Sequence, residues 1–259
     1  MPIQVSRMSE ADIDGAIDTI QQAFAEDPYN KWIYPDRSKV PRPRSNPTYP
    51  TVLANIPQIS LVRNRVSLTL RCHWGIQHGL FYVARDTSKS NKILGCAMWM
   101  PPTPPTEPQP WSLYLSFWWL WFGQIRMNLW HGRGGLSTKR YWIWKERQAE
   151  AQKALWTNDK GYYFCNIVTV LPEAQGKGVG KALMEEVLAS ADKEGAWCYL
   201  ESSRREPNVA IYEKFGFKLA REMDCRDGER EEDKIMLYCM LREPQPGHDI
   251  GDMSSVTGS

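Results

Sequence analysis

The residues with the most definite chemistry form one short segment, Gln175-Gly176-Lys177-Gly178-Val179-Gly180-Lys181. An apolar, β-branched run, Ile167-Val168-Thr169-Val170, leads through Pro172 into it. Val179, Leu183, Val187 and Ala191 then fall at helical spacing, so a helix begins where the glycines end. Glycines at alternate positions let a ligand come close to the backbone. The first N–H groups of a helix lack intrahelical acceptors, and the helix dipole adds positive potential there. With Lys177 and Lys181 nearby, the segment suits a diphosphate. The alternative is a tight strand-to-helix turn with no guest.

Two common diphosphate loops do not fit. A Walker A loop needs Gly five residues before its Gly-Lys and Ser or Thr after it, but Gln175 and Ala182 occupy those positions. A dinucleotide fingerprint needs its third glycine one residue later than Gly180, and in the first βα unit of the chain. The four histidines (His73, His78, His131, His248) lack metal-ligand spacing, so no metal is expected. The six cysteines form no CxxC pair, and Cys96, Cys165 and Cys239 sit in apolar, strand-like runs. That usage suggests reduced, buried thiols. The N-terminal stretch lacks the pattern of a signal peptide, which points to the cytosol and leaves the nucleus open.

The 259 residues carry 32 Lys+Arg against 30 Asp+Glu, a net charge of +2, so no strong field argues for a nucleic-acid partner. The 42 % hydrophobic and 24 % charged content is that of an ordinary globular chain. Twelve tryptophans are the anomaly.

The elements that must position the loop follow from periodicity. A short strand opens the chain, and a helix is expected over 10–25, ended by Asp27-Pro28. The prolines of 35–50 mark a loop, and a second helix is expected over 51–75. Leu80–Arg85 and Ile93–Met100 read as a hairpin. PPTPPTEPQP (101–110) forbids helix and central strand. The stretch 111–130 has eight aromatic residues and one charge, Arg126. It reads as a core helix, with an interfacial membrane helix and a dimer surface as alternatives; it is too short before Arg126 to span a bilayer. A helix over 141–156 follows, then strand 162–170, helix 178–193, strand 197–202, helix 208–215 and strands 217–223 and 234–241. The polar tail 243–259 is expected to be disordered.

Val168-Thr-Val170-Leu-Pro172 followed by Gln175-Gly-Lys-Gly178-Val-Gly180 resembles the signature of the GNAT N-acetyltransferase superfamily. Downstream, YLESS (199–203) is similar to the next family strand, and Asn208…Tyr212-Glu-Lys214-Phe-Gly216-Phe217 to the family's ending. Asn208 precedes Tyr212 by four residues, where many relatives have about seven. The resemblance implies an α/β (α+β) fold in a single domain over 1–242. It implies a mixed, mostly antiparallel sheet of six to seven strands, splayed in the middle, with helices on both faces. Residues 101–160 would be a long, Trp-rich helical insertion.

The resemblance also implies acetyl-CoA as co-substrate. Val168, Thr169 and Val170 would border the pantetheine arm. Gln175, Gly176, Lys177, Gly178, Val179, Gly180 and Lys181 would hold the pyrophosphate, and Asn208 would join the cofactor site. Tyr212 would also touch the cofactor, as the acid that protonates the leaving thiolate. A backbone N–H near Val170 would face the oxyanion. The base is open among Glu201, Tyr162, Tyr163, His78 and a water chain, and Glu201 also reads as a structural hydrogen-bonding residue. The Trp-rich, non-acidic insertion favours a small hydrophobic or aromatic amine as acceptor. A protein lysine or N-terminal acceptor, and a CoA-binding module without turnover that uses the insertion for a partner or membrane, are the alternatives. The expected partner is that small-molecule amine, with no nucleic acid, in a monomer or homodimer; peripheral membrane contact is the minor reading.

Overall fold

The computed structural model describes residues 2–35, 61–88, 91–104, 108 and 110–245. The elements are β1 (Ile3–Arg7), α1 (Ile13–Ala23), α2 (Pro28–Ile33), α3 (Leu61–His78), β2 (Leu80–Asp86), β3 (Lys92–Met100), α4 (Trp111–His131), α5 (Thr138–Leu155), β4 (Tyr162–Val170), α6 (Val179–Glu194), β5 (Trp197–Ser202), α7 (Asn208–Glu213), β6 (Lys218–Arg226) and β7 (Lys234–Arg242).

One seven-stranded sheet runs β1-β2-β3-β4-β5-β7-β6. Every neighbouring pair is antiparallel except β4 and β5. The expected mixed, mostly antiparallel sheet is therefore present. The parallel pairing runs only from Tyr162↔Trp197 to Cys165↔Leu200, although β4 continues to Val170 and β5 to Ser202. The two strands part at that point. A bulge helps to part them: the β3–β4 register shifts between Met98↔Ile167 and Trp99↔Cys165, leaving Asn166 as the extra residue.

Three apolar clusters hold the layers. One lies between the sheet and α6, and includes Leu183, Val187, Cys165, Leu200 and Phe217. On the opposite face, α1 and α3 pack over β2 and β3 through Ile17, Phe81 and Cys96. The same face of the β5-β7-β6 half is covered by α2 and α5, through Trp32, Tyr199 and Cys239. Helices thus cover both faces.

Local chemistry explains most boundaries. α1 ends at Ala23, ahead of Asp27-Pro28 as expected, and Asp27 then opens a further helix. Its carboxylate accepts from the N–H of Asn30 at 3.0 Å and caps α2, with Pro28 in the first turn, where its missing N–H is no loss. Ser137 caps α5 in the same way. Gly178 (φ +85°) and Gly195 (φ +65°) bracket α6 in left-handed conformations. The helix expected over 51–75 is seen as α3 from Leu61 to His78, its first ten residues falling outside those described, as do the loop at 36–50 and most of the tail.

The core-helix reading of 111–130 is overturned. α4 buries only Met127, and Trp111, Trp119 and Trp130 are each about four-fifths exposed (80 %, 81 % and 81 %). The helix packs on α3 and leaves its aromatic side outward. All six cysteines are buried and free, as expected, but five lie in strands and Cys72 in α3.

Candidate active site

Backbone direction in β4 builds the first half of the site. The N–H of Leu171 donates to the carbonyl of Leu94 in β3 at 2.8 Å. Peptide groups alternate sides along a strand, so Thr169 also faces β3, while the N–H and C=O of Val168 and Val170 face away from it. Beyond Cys165 no β5 residue pairs with them. The fork therefore presents main-chain donors and acceptors inside the sheet, where unpaired groups are costly unless something extended fills the gap. The side chains of Val168 and Val170 pack against the α6 cluster. Thr169 is buried, its hydroxyl 3.3 Å from Cys96 Sγ.

The glycine segment is the second half. Among the described residues, none of the N–H groups from Gly176 to Lys181 donates to a backbone carbonyl. Gly176 (φ +73°) and Gly178 (φ +85°) take conformations that strain other residues, and a Cβ on either would meet nothing within 4 Å. The glycines are thus set by backbone conformation, and the space above them is open. A Cβ on Gly180 would make only ordinary contact with Val170, at 3.5 Å. The row of free amides at the N-terminus of a 16-residue helix presents the kind of donors that bind an anion such as a diphosphate. Lys177 Nζ reaches the carbonyl of Glu173 at 2.6 Å, and Lys181 lies 3.5 Å from Glu185; both are exposed and able to swing. Gln175 donates to the carbonyl of Val170.

Tyr212 lies on the α6 side of the fork. It packs beside Phe217, with ring centroids 6.2 Å apart, against the cluster that contains Cys165. Burial, and then Cys165, push its phenol above the ordinary range, so it holds its proton. Its hydroxyl has no hydrogen-bond partner among the described residues. The amide of Asn208 donates to Ser202 Oγ at 3.0 Å and ties the start of α7 to the end of β5.

Glu201 lies on the other face, the first β5 residue past the last β4 pair. Tyr199 donates to one carboxylate oxygen at 2.8 Å and Gln148 of α5 to the other at 2.9 Å. Burial raises its pKa above the ordinary carboxylate range, against these donors and the nearby charge of Lys145. Lys145 is in turn lowered by burial. Around this group stand Tyr29 and Trp144 (centroids 5.2 Å apart), Tyr141, and Phe164 against Tyr199 (5.4 Å).

The other expected base candidates are placed elsewhere. The Tyr163 hydroxyl donates to Glu194 at 2.6 Å on the α6 side. Tyr162 donates to Leu155 and accepts from the N–H groups of Thr157 and Asn158. His78 packs against Trp74, which also packs at a tilt on Phe117 of α4. Gln148, Lys145 and Asn166 escaped the sequence reading. Asn166 had a visible signal, a lone polar residue in an apolar strand; Gln148 and Lys145 had none, because only the fold brings α5 to β5.

Residues 137–219, from the cap of α5 into β6, match the acetyltransferase (GNAT) domain family. That matched segment is about a third of the chain and holds the glycine segment, Glu201 and Tyr212. A Schizosaccharomyces pombe protein named as an uncharacterized N-acetyltransferase is 32 % identical over 133 residues, covering 48 % of this chain and 51 % of that protein. The match thus spans about half the length of that curated relative. Among solved structures, a Corynebacterium glutamicum protein described as histone acetyltransferase HPA2 and related acetyltransferase superposes with a TM-score of 0.55 at 19 % identity, covering 96 % of this chain and 99 % of that one. Arylalkylamine N-acetyltransferase 2 of Aedes aegypti gives 0.54 at 16 % identity, covering 95 % and 100 %. These likenesses show the GNAT fold across the chain.

Proposed function

We propose that this GNAT domain transfers the acetyl group of acetyl-CoA directly to the amine of a small hydrophobic or aromatic molecule. One observation supports the reading: the β4–β5 fork opens between a proton-holding phenol on one face of the sheet and a partly buried carboxylate on the other.

Acetyl-CoA lies with its pyrophosphate on the amides of Gly176–Lys181 and its pantetheine arm along Val168 and Val170. The thioester then reaches the fork beside Cys165. The acceptor amine comes from the side of α2 and α5, where Tyr29, Trp144, Phe164 and Tyr199 offer aromatic surface. Glu201 takes the ammonium proton, and burial gives it a basicity above that of an ordinary carboxylate. The free amine attacks the carbonyl, a main-chain N–H at the fork stabilises the oxyanion, and the C–S bond breaks. Tyr212 gives its proton to the departing thiolate. As the amide forms its nitrogen sheds a second proton, which restores the Tyr212 phenol through solvent; Glu201 passes its own proton to solvent, and the amide and CoA leave.

The test is thiol release from acetyl-CoA over a panel of arylalkylamines, polyamines, and peptides with free N-termini or lysines. The proposal expects the highest kcat/KM with an arylalkylamine. Turnover confined to peptides would replace the acceptor with a protein. Acetyl-CoA binding without thiol release from any amine would leave only a CoA-binding module.

A further inference from the structure

α4 is built inside out. Its side turned to α3 carries the polar residues: Ser116 accepts from the Trp74 indole at 3.0 Å, Gln124 and Ser67 exchange hydrogen bonds at 2.7 and 3.1 Å, and Asn128 accepts from Arg63. Gly123 lets α3 approach, since a Cβ there would meet Leu70 at 3.2 Å. The outward arc carries Trp111, Leu115, Trp118, Trp119, Phe122 and Trp130, all exposed. Those six side chains present on the order of 700 Å² of apolar surface, more than the largest patch of an ordinary soluble monomer.

We propose that α4 is an interfacial helix, which lays this arc into the headgroup region of an anionic phospholipid bilayer. Its apolar mass is largely tryptophan, the side chain that favours the headgroup boundary over the hydrocarbon core. Among the described residues no helix is long and apolar enough to cross a membrane. Contacts with α3 run from Ser116 to Asn128, so the helix lies along the body of the protein with its whole outer side available.

Charge selects the occupant. From Trp111 to Lys145 the chain has five Lys or Arg residues and no Asp or Glu. Lys139 and Arg140 are paired with Asp227, and Lys145 faces Glu201. Arg126, on the outward arc, and Arg133, just past the helix, have no ion pair among the described residues. A lipid surface with anionic headgroups complements them. A second copy would bring the same cations and no carboxylate to this face.

The full chain is floated with vesicles of phosphatidylcholine alone and with vesicles in which part of that lipid is replaced by phosphatidylserine. The chain should float with the mixed vesicles, and brominated lipid should quench its tryptophan emission. The pair Leu115→Ser and Trp119→Ser should weaken binding roughly tenfold or more. The pair Arg126→Glu and Arg133→Glu should weaken it by at least roughly 25-fold and abolish the preference for phosphatidylserine. Circular dichroism and acetyl-CoA affinity report that the variants stay folded. No flotation with either vesicle, or binding indifferent to both pairs, would overturn the proposal. So would a wild-type dimer in sedimentation velocity that the Leu115/Trp119 pair dissociates while vesicles are ignored.

Discussion

Replacing Gly178 with Ala separates a structural glycine from a ligand-binding one. At φ +85° an added Cβ strains the backbone by roughly 1–2 kcal/mol, partly offset by the reduced freedom of the unfolded chain. It clashes with nothing, since no atom lies within 4 Å. The net loss should therefore be about 1 kcal/mol, a fall of roughly 2–4 °C in Tm for a chain of this size. Gly195 at the far end of the same helix is the control. Its φ is +65°, and an added Cβ meets only the flexible end of Lys160 at 3.1 Å, so Gly195→Ala should lose similar stability. Acetyl-CoA affinity should divide the two. In Gly178→Ala the methyl group projects into the open space above the amides, and loss of even one charge-assisted hydrogen bond is worth roughly 1.5–3 kcal/mol. Calorimetry should show at least a tenfold weaker Kd for Gly178→Ala and an unchanged Kd for Gly195→Ala. Equal melting losses with unchanged affinity in both would refute the assignment of this loop to the diphosphate.

Other perturbations address the remaining groups. Tyr212→Phe should lower kcat about a hundredfold or more and leave the acetyl-CoA Kd unchanged; wild-type turnover would remove the acid role. Glu201 must be ionised to act as base, so kcat/KM should fall on the acid side with an apparent pKa above the usual carboxylate range, and Glu201→Gln should erase that limb. The same group governs a stability difference. Its folded pKa is raised, so the folded state holds the proton more tightly and stability is lost as pH rises through the titration. The melting temperature of wild type relative to Glu201→Gln should accordingly decline between acid and neutral pH. Asp192 has the opposite sign. Burial raises its pKa, but the bidentate Arg242 guanidinium, at 2.6 and 2.7 Å, overrides this and holds it below the usual range. Its stability contribution is full above the ordinary carboxylate pKa and lost as pH falls through the depressed one. Asp192→Asn should be destabilising at neutral pH, with the gap closing in strong acid.

The sequence showed the parts whose physics is local. The alternation of strand and helix after residue 160 came within a few residues of the observed ends, because apolar periodicity and two left-handed glycines define β4, α6 and β5 between them. Val168, Val170 and the glycine segment were legible for the same reason: their chemistry lies in the main chain, and strand direction alone aims it. Tyr212 could be named only through the likeness to a family. Among the five sources of a base, the fold gives Tyr163, Tyr162 and His78 other partners, which no sequence spacing shows. The bond from Asn208 to Ser202 has no signal in its spacing. The largest error was α4. A run of eight aromatics looks like a core helix by composition, and only the placement of Ser116, Gln124 and Asn128 against α3 shows that the aromatic side faces outward. Asp27-Pro28 was legible as a helix stop but not as the start of α2, which the same pair caps.

The most direct test of the account is a crystal structure with acetyl-CoA bound. The account predicts the diphosphate within hydrogen-bond distance of the N–H groups of Gly176–Lys181, the pantetheine amides paired with Val168 and Val170, and the sulfur at the fork beyond Cys165 and Leu200, in reach of Tyr212. A diphosphate seated elsewhere, or a β4–β5 gap closed by the protein's own side chains with the coenzyme bound outside it, would contradict it.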